Sequence, residues 1–556
     1  MRLFLQKHHR FLFYSIWLLL ALTQSASTEL IADEAYYWVY SRFPAWGYFD
    51  HPPMISMVIK WGYSIFQNEL GVRLICALFS LFTVIIAELL TDKKNPILFY
   101  TIVLSIGALQ IAGFLAVPDT PLLFFTALFF YCYRQYIVNI SLRTALLLGI
   151  AVVFLFYTKY HGLLIVFFTL LSNLKLLGRW QTWFAGLVVL IFFAPHLYWQ
   201  WENDWVSFRY HLFESNVSPY QISNTTDYLL GQLLLAGPLV SIILLPASLL
   251  FKPKTDIEKA LKFTLIGIYI FFFISSFRGK VEANWTMPVL IPLIVLSYQY
   301  LISKNSWLSP LRILALVSLV LIMAGRIYLV QDLGPDNMIK SKFHNHKKWA
   351  KAIAEKTKNI PVVFYSSYQR SSLYWFYSGI PSHSHNAWQE RSNNYNFWPT
   401  ESNLLGKKIF FADIYNISGY KDSLKTKTGW VGFSPDTAYA GLAGIKIIPE
   451  QKKIESKFNS LLKISFGIIT SEPYTQFLQH SPDLKTELLA GIFKGKNIIK
   501  EFGTGISAHQ LVASANLIVE LDLESISPGD YDLRFSIRSK DYPPTHNSHK
   551  IKLQIR

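Results

Sequence analysis

The stretch Ile31-Ala-Asp-Glu-Ala-Tyr-Tyr-Trp38, followed after a short loop by Gly47-Tyr-Phe-Asp-His-Pro-Pro53, decides how the rest of the chain is read. Five charged or titratable side chains, Asp33, Glu34, Arg42, Asp50 and His51, stand there among eight Tyr, Phe and Trp rings, directly after an apolar N-terminal segment. An adjacent acid pair walled by aromatics at a membrane boundary suits removal of a proton from an alcohol. The rings suit a sugar or a lipid headgroup at the membrane–water interface. Two acids also sit well at the positive end of a helix, here one over 35–40. The Tyr36-Tyr37-Trp38 run and the Asp50-His51 pair that follow favour a site over simple helix capping.

Outward from that loop, the composition is that of a membrane protein. Of 556 residues, 52% are hydrophobic and 16% charged, against about 25% charged in soluble domains. The apolar residues come in blocks up to about Val330, after which Asn, Ser, Lys and Tyr become frequent. About eleven blocks are long enough to span a bilayer as helices: 11–27, 71–90, 96–116, 121–138, 143–158, 161–177, 182–199, 228–251, 261–277, 286–302 and 308–330. Lys7-His-His-Arg10, Asp92-Lys-Lys94, Arg134 with Arg143, Lys175 to Arg179, Lys252 to Lys262 and Lys304 fall on alternate linkers, which places those linkers in the cytoplasm. An odd number of spans puts the tail outside. The fold expected is therefore mainly α, a multi-span helical domain over 1–330, followed by a soluble α/β unit over 331–447 and a β-rich, sandwich-like unit over 448–556. The net charge of +17 is scattered through linkers and tail, with no basic stripe, which excludes a nucleic-acid partner. Cys76 and Cys132 both lie in apolar blocks and indicate no disulfide framework.

With this alternation, the chemically informative segments fall on one side. They are the loop 28–70, Val117-Pro-Asp-Thr-Pro121, Tyr157-Thr-Lys-Tyr-His-Gly162, the loop Trp199 to Tyr228 with Glu202, Asp204, Arg209 and His211, and Phe277-Arg-Gly-Lys-Val-Glu-Ala-Asn-Trp285. Charges beside spanning helices are costly in lipid and serve a partner or a site. Asp33, Glu34 and Asp119 are the candidate acids and bases, and Asp119 also suits a helix start ahead of Pro121. His51, Lys159, Arg278 and Lys280 are the candidate cations for an anionic group. Lys159 has the alternative of snorkelling to the interface, and Arg278 and Lys280 that of flanking anchors. Tyr36, Tyr37, Trp38, Asp50, His161, Glu282, Asn284 and Trp285 complete the expected substrate surface. No HExxH or cysteine ligand spacing is present. A divalent metal stays open as a cofactor, and no other cofactor is indicated.

Order, spacing and sidedness together resemble the membrane-embedded GT-C glycosyltransferases, in particular the protein mannosyltransferases and lipid A aminoarabinose transferases, over the first 330 residues or so. The resemblance implies a polyprenyl-phosphate-linked sugar as donor and a lipid A, glycan or protein acceptor, at the periplasmic face of a bacterial inner membrane. It implies Asp33 as the general base, with Glu34 beside it, and Phe49-Asp50-His51-Pro52 as the aromatic, acid, base and proline of the same loop. Asp119 matches a second outer acid, and Thr158-Lys159 a Thr-Lys pair at a helix end. Where aminoarabinose-transferring relatives have Lys, this chain has His51, whose charge changes near neutral pH. The resemblance also implies inverting displacement and a retained first helix, although Gln24-Ser-Ala-Ser27 could end a cleaved signal peptide.

In the tail, His344–Thr357 has helical spacing, and Pro361–Tyr365 and Lys408–Ala412 read as buried strands. Leu517–Leu523 and Asp532–Ile537 alternate as strands about a Ser-Pro-Gly-Asp turn. Two rival functions remain beside a glycosyltransferase. A transporter or flippase would show paired, interrupted helices in two related halves, and no internal repeat is evident. A membrane-anchored glycan-binding assembly protein would not need so many spans.

Overall fold

The computed structural model describes residues 2–215, 219–333, 342–420, 422–514 and 516–556. They divide into two compact units, Met1–Pro335 and Asp336–Arg556.

The first unit is helical throughout. It opens with α1 (Arg2–Ser27), α2 (Ala32–Arg42), α3 (Met54–Ile65), α4 (Glu69–Leu90), α5 (Pro96–Ser105) and α6 (Gly107–Ile111). It continues with α7 (Asp119–Val138), α8 (Leu142–Thr158), α9 (Gly162–Ser172), α10 (Trp180–Glu202) and the short α11 (Val206–Arg209). Helices α12 (Ile222–Leu235), α13 (Ser241–Leu250), α14 (Asp256–Ser275), α15 (Leu290–Leu301) and α16 (Leu308–Val330) complete it. Every expected apolar block is helical, but four of them are interrupted. Block 96–116 breaks between α5 and α6, and block 161–177 gives way to a 3-10 turn at Leu174–Gly178. Block 228–251 breaks at Gly237, which adopts φ +111 and passes 3.0 Å (as an added Cβ would measure it) from the Ser105 carbonyl oxygen. Block 286–302 begins as a 3-10 turn, Ala283–Val289, that contains Pro288.

Among the described residues, three helices are long and apolar enough to cross a bilayer by length and composition: Glu69–Leu90, Trp180–Glu202 and Asn305–Val330. The first segment makes a fourth if α1 and α2 are counted as one broken span, although α2 turns 88° away from α1. The chain is an integral membrane protein, and the eleven straight spans expected from block length do not all appear as such. Apolar length measured in residues overlooks the Gly and Pro positions that stop a helix.

The loop 28–70 is itself mostly helical. Its close turn into α4 is fixed by glycine: a Cβ on Gly71 would lie 1.6 Å from the Phe66 carbonyl oxygen, and one on Gly62 would lie 2.2 Å from that of Gly71. Asn68 then caps α4, its side chain accepting from the Gly71 amide at 3.1 Å.

The second unit follows the periodicity read from the sequence. Helix His346–Lys356 precedes a five-stranded sheet in the order His383–His385, Val362–Tyr365, Ile409–Asp413, Gly429–Asp436, Asp422–Thr426. Its first three strands are parallel and its last two antiparallel. A second five-stranded sheet and a three-stranded sheet built on Leu461–Ile469 enclose one apolar core, with Phe466 and Phe535 meeting at 5.3 Å between ring centroids. This half of the unit is β-rich. It is tied to the α/β half by buried contacts such as Asn547 to the Leu442 and Ile445 carbonyls, 2.7 and 2.8 Å.

Candidate active site

The acid pair at 33–34 is split by helix geometry. α2 begins at Ala32, so neighbouring side chains leave it about 100° apart. Glu34 points into the first unit and is fully buried. There the Arg73 guanidinium donates to both its carboxylate oxygens, at 2.7 and 2.5 Å. The backbone amides of Ile31 (3.1 Å) and Ala116 (2.8 Å) donate to the same carboxylate. Arg73 is also fully buried and donates to the carbonyls of Ser25, Thr28 and Glu29 at 2.8–3.1 Å. Glu34 thus locks α2 against α4 and against the turn that leads to Asp119. Its carboxylate accepts four hydrogen bonds from within the first unit. Asp33 is half-buried and lies on the α2 face of Tyr36, Tyr37 and Tyr40, three, four and seven residues on.

That aromatic face leads into the rest of the loop. The Tyr37 hydroxyl lies 3.1 Å from His51 Nε2. Tyr40 donates to the Asp50 carboxylate at 3.3 Å and stacks on Tyr48 with ring centroids 4.1 Å apart. The backbone of Asp50 accepts from His211 Nε2 at 2.7 Å, and the His51 and His211 rings are 6.4 Å apart. His211 also meets Tyr160 edge-on at 5.3 Å. Tyr160 belongs to the Lys159-Tyr-His161 corner between α8 and α9.

At that corner the buried Lys159 ammonium donates to Asp119 at 2.9 Å. The other Asp119 oxygen accepts from the Asn284 side chain at 3.0 Å. His161 faces Trp285 and Phe272, with ring centroids 5.9 and 5.2 Å away. All five segments that alternation placed on one side therefore meet at one centre. Asp119 receives a cation and an amide, and Lys159, with three donors, gives one to Asp119.

Four expected residues stand apart from this centre. Lys280 pairs with Glu282 at 2.8 Å, and both side chains are more than half exposed. Arg278 is exposed as well. Trp38 is turned inward and buried, with Arg42 over its ring at 5.8 Å. Arg73 and His211 are the residues that the sequence reading left without a role. Arg73 carried a signal, a charge within the apolar run of α4. Among the described residues, no three His, Cys, Asp or Glu side chains are grouped as a metal site, and no step below is routed through a metal.

Known proteins share the fold and part of the sequence. A family model described as dolichyl-phosphate-mannose-protein mannosyltransferase matches residues 50–199. The chain is 23% identical over 317 residues to the lipid A galacturonosyltransferase RgtD of Rhizobium johnstonii, covering 54% of this chain and 66% of that protein. It is 37% identical over 93 residues to an uncharacterised protein of Aquifex aeolicus, covering 16% and 19% of the two chains. The alignments thus span just under two thirds of the first curated relative and about a fifth of the second. ArnT from Cupriavidus metallidurans in the apo state superposes with a TM-score of 0.57 at 14% identity, over 77% of this chain and 98% of that one. The same protein bound to undecaprenyl phosphate gives 0.58 at 14% identity, over 76% and 97%. This chain has an ArnT-like fold, and its residues 50–199 match the mannosyltransferase family model, in line with the resemblance read from its first loop.

Proposed function

We propose that this protein transfers a sugar from a polyprenyl-phosphate donor to a hydroxyl of a membrane-associated acceptor, at the periplasmic face of a bacterial inner membrane. The observation that carries this reading is the centre where Lys159, Asp119 and Asn284 meet beside His161, linked through Tyr160, His211 and His51 to the aromatic face of α2. Such a centre offers cations for a leaving phosphate on one side and an acid with sugar-stacking rings on the other.

In the proposed reaction the acceptor oxygen attacks the anomeric carbon and the bond from that carbon to the phosphate oxygen breaks. The acceptor proton passes to the Asp33 carboxylate, and the lipid phosphate leaves with the bonding electrons. Donors fixed before the reaction stabilise the charge that grows on the leaving oxygen. Lys159 is the leading donor, held in place by Asp119, with His51 and His211 as further contacts on the same side. The ring faces of Tyr36 and Tyr37 and of Trp285 suit the sugar. Glu34 and Arg73 fix the helix that presents Asp33.

The polyprenyl donor is supported by the undecaprenyl phosphate bound to ArnT, and a lipid acceptor of the lipid A class by the name of RgtD. Glycan and protein acceptors are the alternatives that the same site would accommodate. The N-terminus in the cytoplasm and the second unit in the periplasm follow from the basic linkers. The test is direct. Purified protein in lipid nanodiscs is given a panel of radiolabelled polyprenyl-phosphate sugars with lipid A, oligosaccharide and peptide acceptors. One donor–acceptor pair should yield labelled product, whereas label that only crosses the bilayer of sealed vesicles would establish a transporter instead.

A further inference from the structure

Away from this centre, α16 carries Arg326 into the apolar body of the first unit, with the residue 8% exposed. Its guanidinium donates to the Gln110 side chain at 3.2 Å and to the Leu20 carbonyl at 3.0 Å, and it lies over the Phe114 ring at 5.6 Å. Among the described residues it has no carboxylate partner: every bond it makes there is to a neutral group. A charge in a spanning segment usually pairs with another charge or lines a pathway.

Snorkelling does not account for it. The Arg326 backbone is level with Gln24, whose side chain donates to the Arg326 carbonyl at 3.2 Å. Its guanidinium reaches Leu20, one turn further from the α1 end at Ser27. The charge is drawn into the helix pair, following the N-terminal tilt of helical side chains, while a snorkelling arginine extends towards the interface.

Beside the guanidinium is a cavity of about 160 Å³, walled by Phe13, Ile16, Trp17, Leu20 and Leu104. Ile16 at its rim is 56% exposed and Leu19, on the same helix, is 64% exposed. Exposed apolar side chains on a spanning helix face lipid. An apolar void of roughly 150 Å³ takes up a benzene-sized molecule, so this one has room for a segment of an acyl chain.

We propose that this cavity is a binding site for an anionic phospholipid of the surrounding bilayer, its acyl chain between α1, α5 and α16 and its phosphate diester on Arg326. The phosphate supplies the counter-charge that the described residues do not, and a guanidinium is well matched to phosphate oxygens. This site is separate from the centre around Lys159 and does not depend on the function proposed for it.

Native mass spectrometry of the full chain in detergent, titrated with palmitoyl-oleoyl phosphatidylglycerol or phosphatidylcholine, tests the proposal. Wild type should bind the first phosphatidylglycerol roughly tenfold more tightly than phosphatidylcholine, a ratio that corresponds to about 1.4 kcal/mol. Arg326→Gln should lose the preference and Arg326→Lys should keep most of it. Ile16→Trp, which fills the rim and leaves the charge, should weaken both lipids and serves as the second test if Arg326→Gln does not fold. An undiminished preference in Arg326→Gln, or equal binding of the two lipids by wild type, would overturn the proposal. So would displacement of phosphatidylglycerol by equimolar undecaprenyl phosphate, which would make the cavity part of a donor groove, or by millimolar inorganic phosphate, which would make it a free-anion site.

Discussion

Asp33 and Glu34 are adjacent carboxylates of almost the same chemistry, and the structure gives them different surroundings, from which opposite phenotypes are expected. In Glu34→Gln the amide keeps the shape of the side chain but leaves the Arg73 guanidinium as a buried charge without its counter-ion. Removing one partner of a buried ion pair costs about 3–5 kcal/mol. The remaining carbonyl contacts of Arg73 keep the loss near the lower end. At a few degrees per kcal/mol for a domain of this size, the melting temperature should fall on the order of 10 °C. Asp33→Asn removes a half-buried carboxylate and should leave the melting temperature within a degree or two of wild type. Its effect should be on turnover, where a positioned base contributes about 10²–10⁴-fold. The assay is paired: thermal unfolding of each variant in the same detergent by size-exclusion fluorescence, and transfer with the donor identified by the panel. Glu34→Gln molecules that remain folded at low temperature should turn over within a few-fold of wild type. An Asp33→Asn protein that melts early, or a Glu34→Gln protein that is stable and inactive, would refute the division of roles.

Lys159→Met should raise the apparent KM for donor and also lower stability, because Asp119 then keeps only Asn284; Lys159→Met combined with Asp119→Asn should recover stability but not activity, as read by thermal unfolding and donor titration. His51→Lys should flatten loss of donor affinity at alkaline pH, measured as KM against pH, and identical alkaline limbs for variant and wild type would make His51 structural. In the second unit, burial lowers His383 and His546 to about 3 and His385 to about 4. Their folded values lie below the unfolded value of about 6.5, so the unfolded chain binds more protons below that pH. The stability they contribute is present above pH 6.5 and declines as the pH falls towards 3–4, which near-ultraviolet circular dichroism of thermal melts at pH 7 and pH 5 should register as a lower unfolding temperature at pH 5.

Much of this was legible in the sequence because the signals were local. The apolar blocks became helices; short apolar runs placed strands at Val362–Tyr365 and Ile409–Asp413, and alternation one at Asn516–Asp522, within a residue or two of expectation. One-sided clustering brought Asp119, Lys159, His161, Asn284 and Trp285 together before any geometry was known. What stayed hidden depends on partners far along the chain. Nothing near Glu34 shows that it belongs to Arg73, 39 positions away, and so the two acids read as equals. Lys159 likewise looked like a snorkelling residue until Asp119, 40 positions earlier, was seen to receive it. The interrupted helices were missed for a different reason: hydropathy averaged over a block does not register one Gly237 or Pro288.

The central claim, that the centre around Lys159 and the α2 face transfers sugar from a lipid phosphate, is tested most directly by product stoichiometry. Purified wild type with donor and acceptor should release one polyprenyl phosphate for each glycosylated acceptor formed, and Asp33→Asn should suppress both products together while still binding donor. Release of polyprenyl phosphate without acceptor glycosylation, or near-normal transfer by Asp33→Asn, would contradict the account.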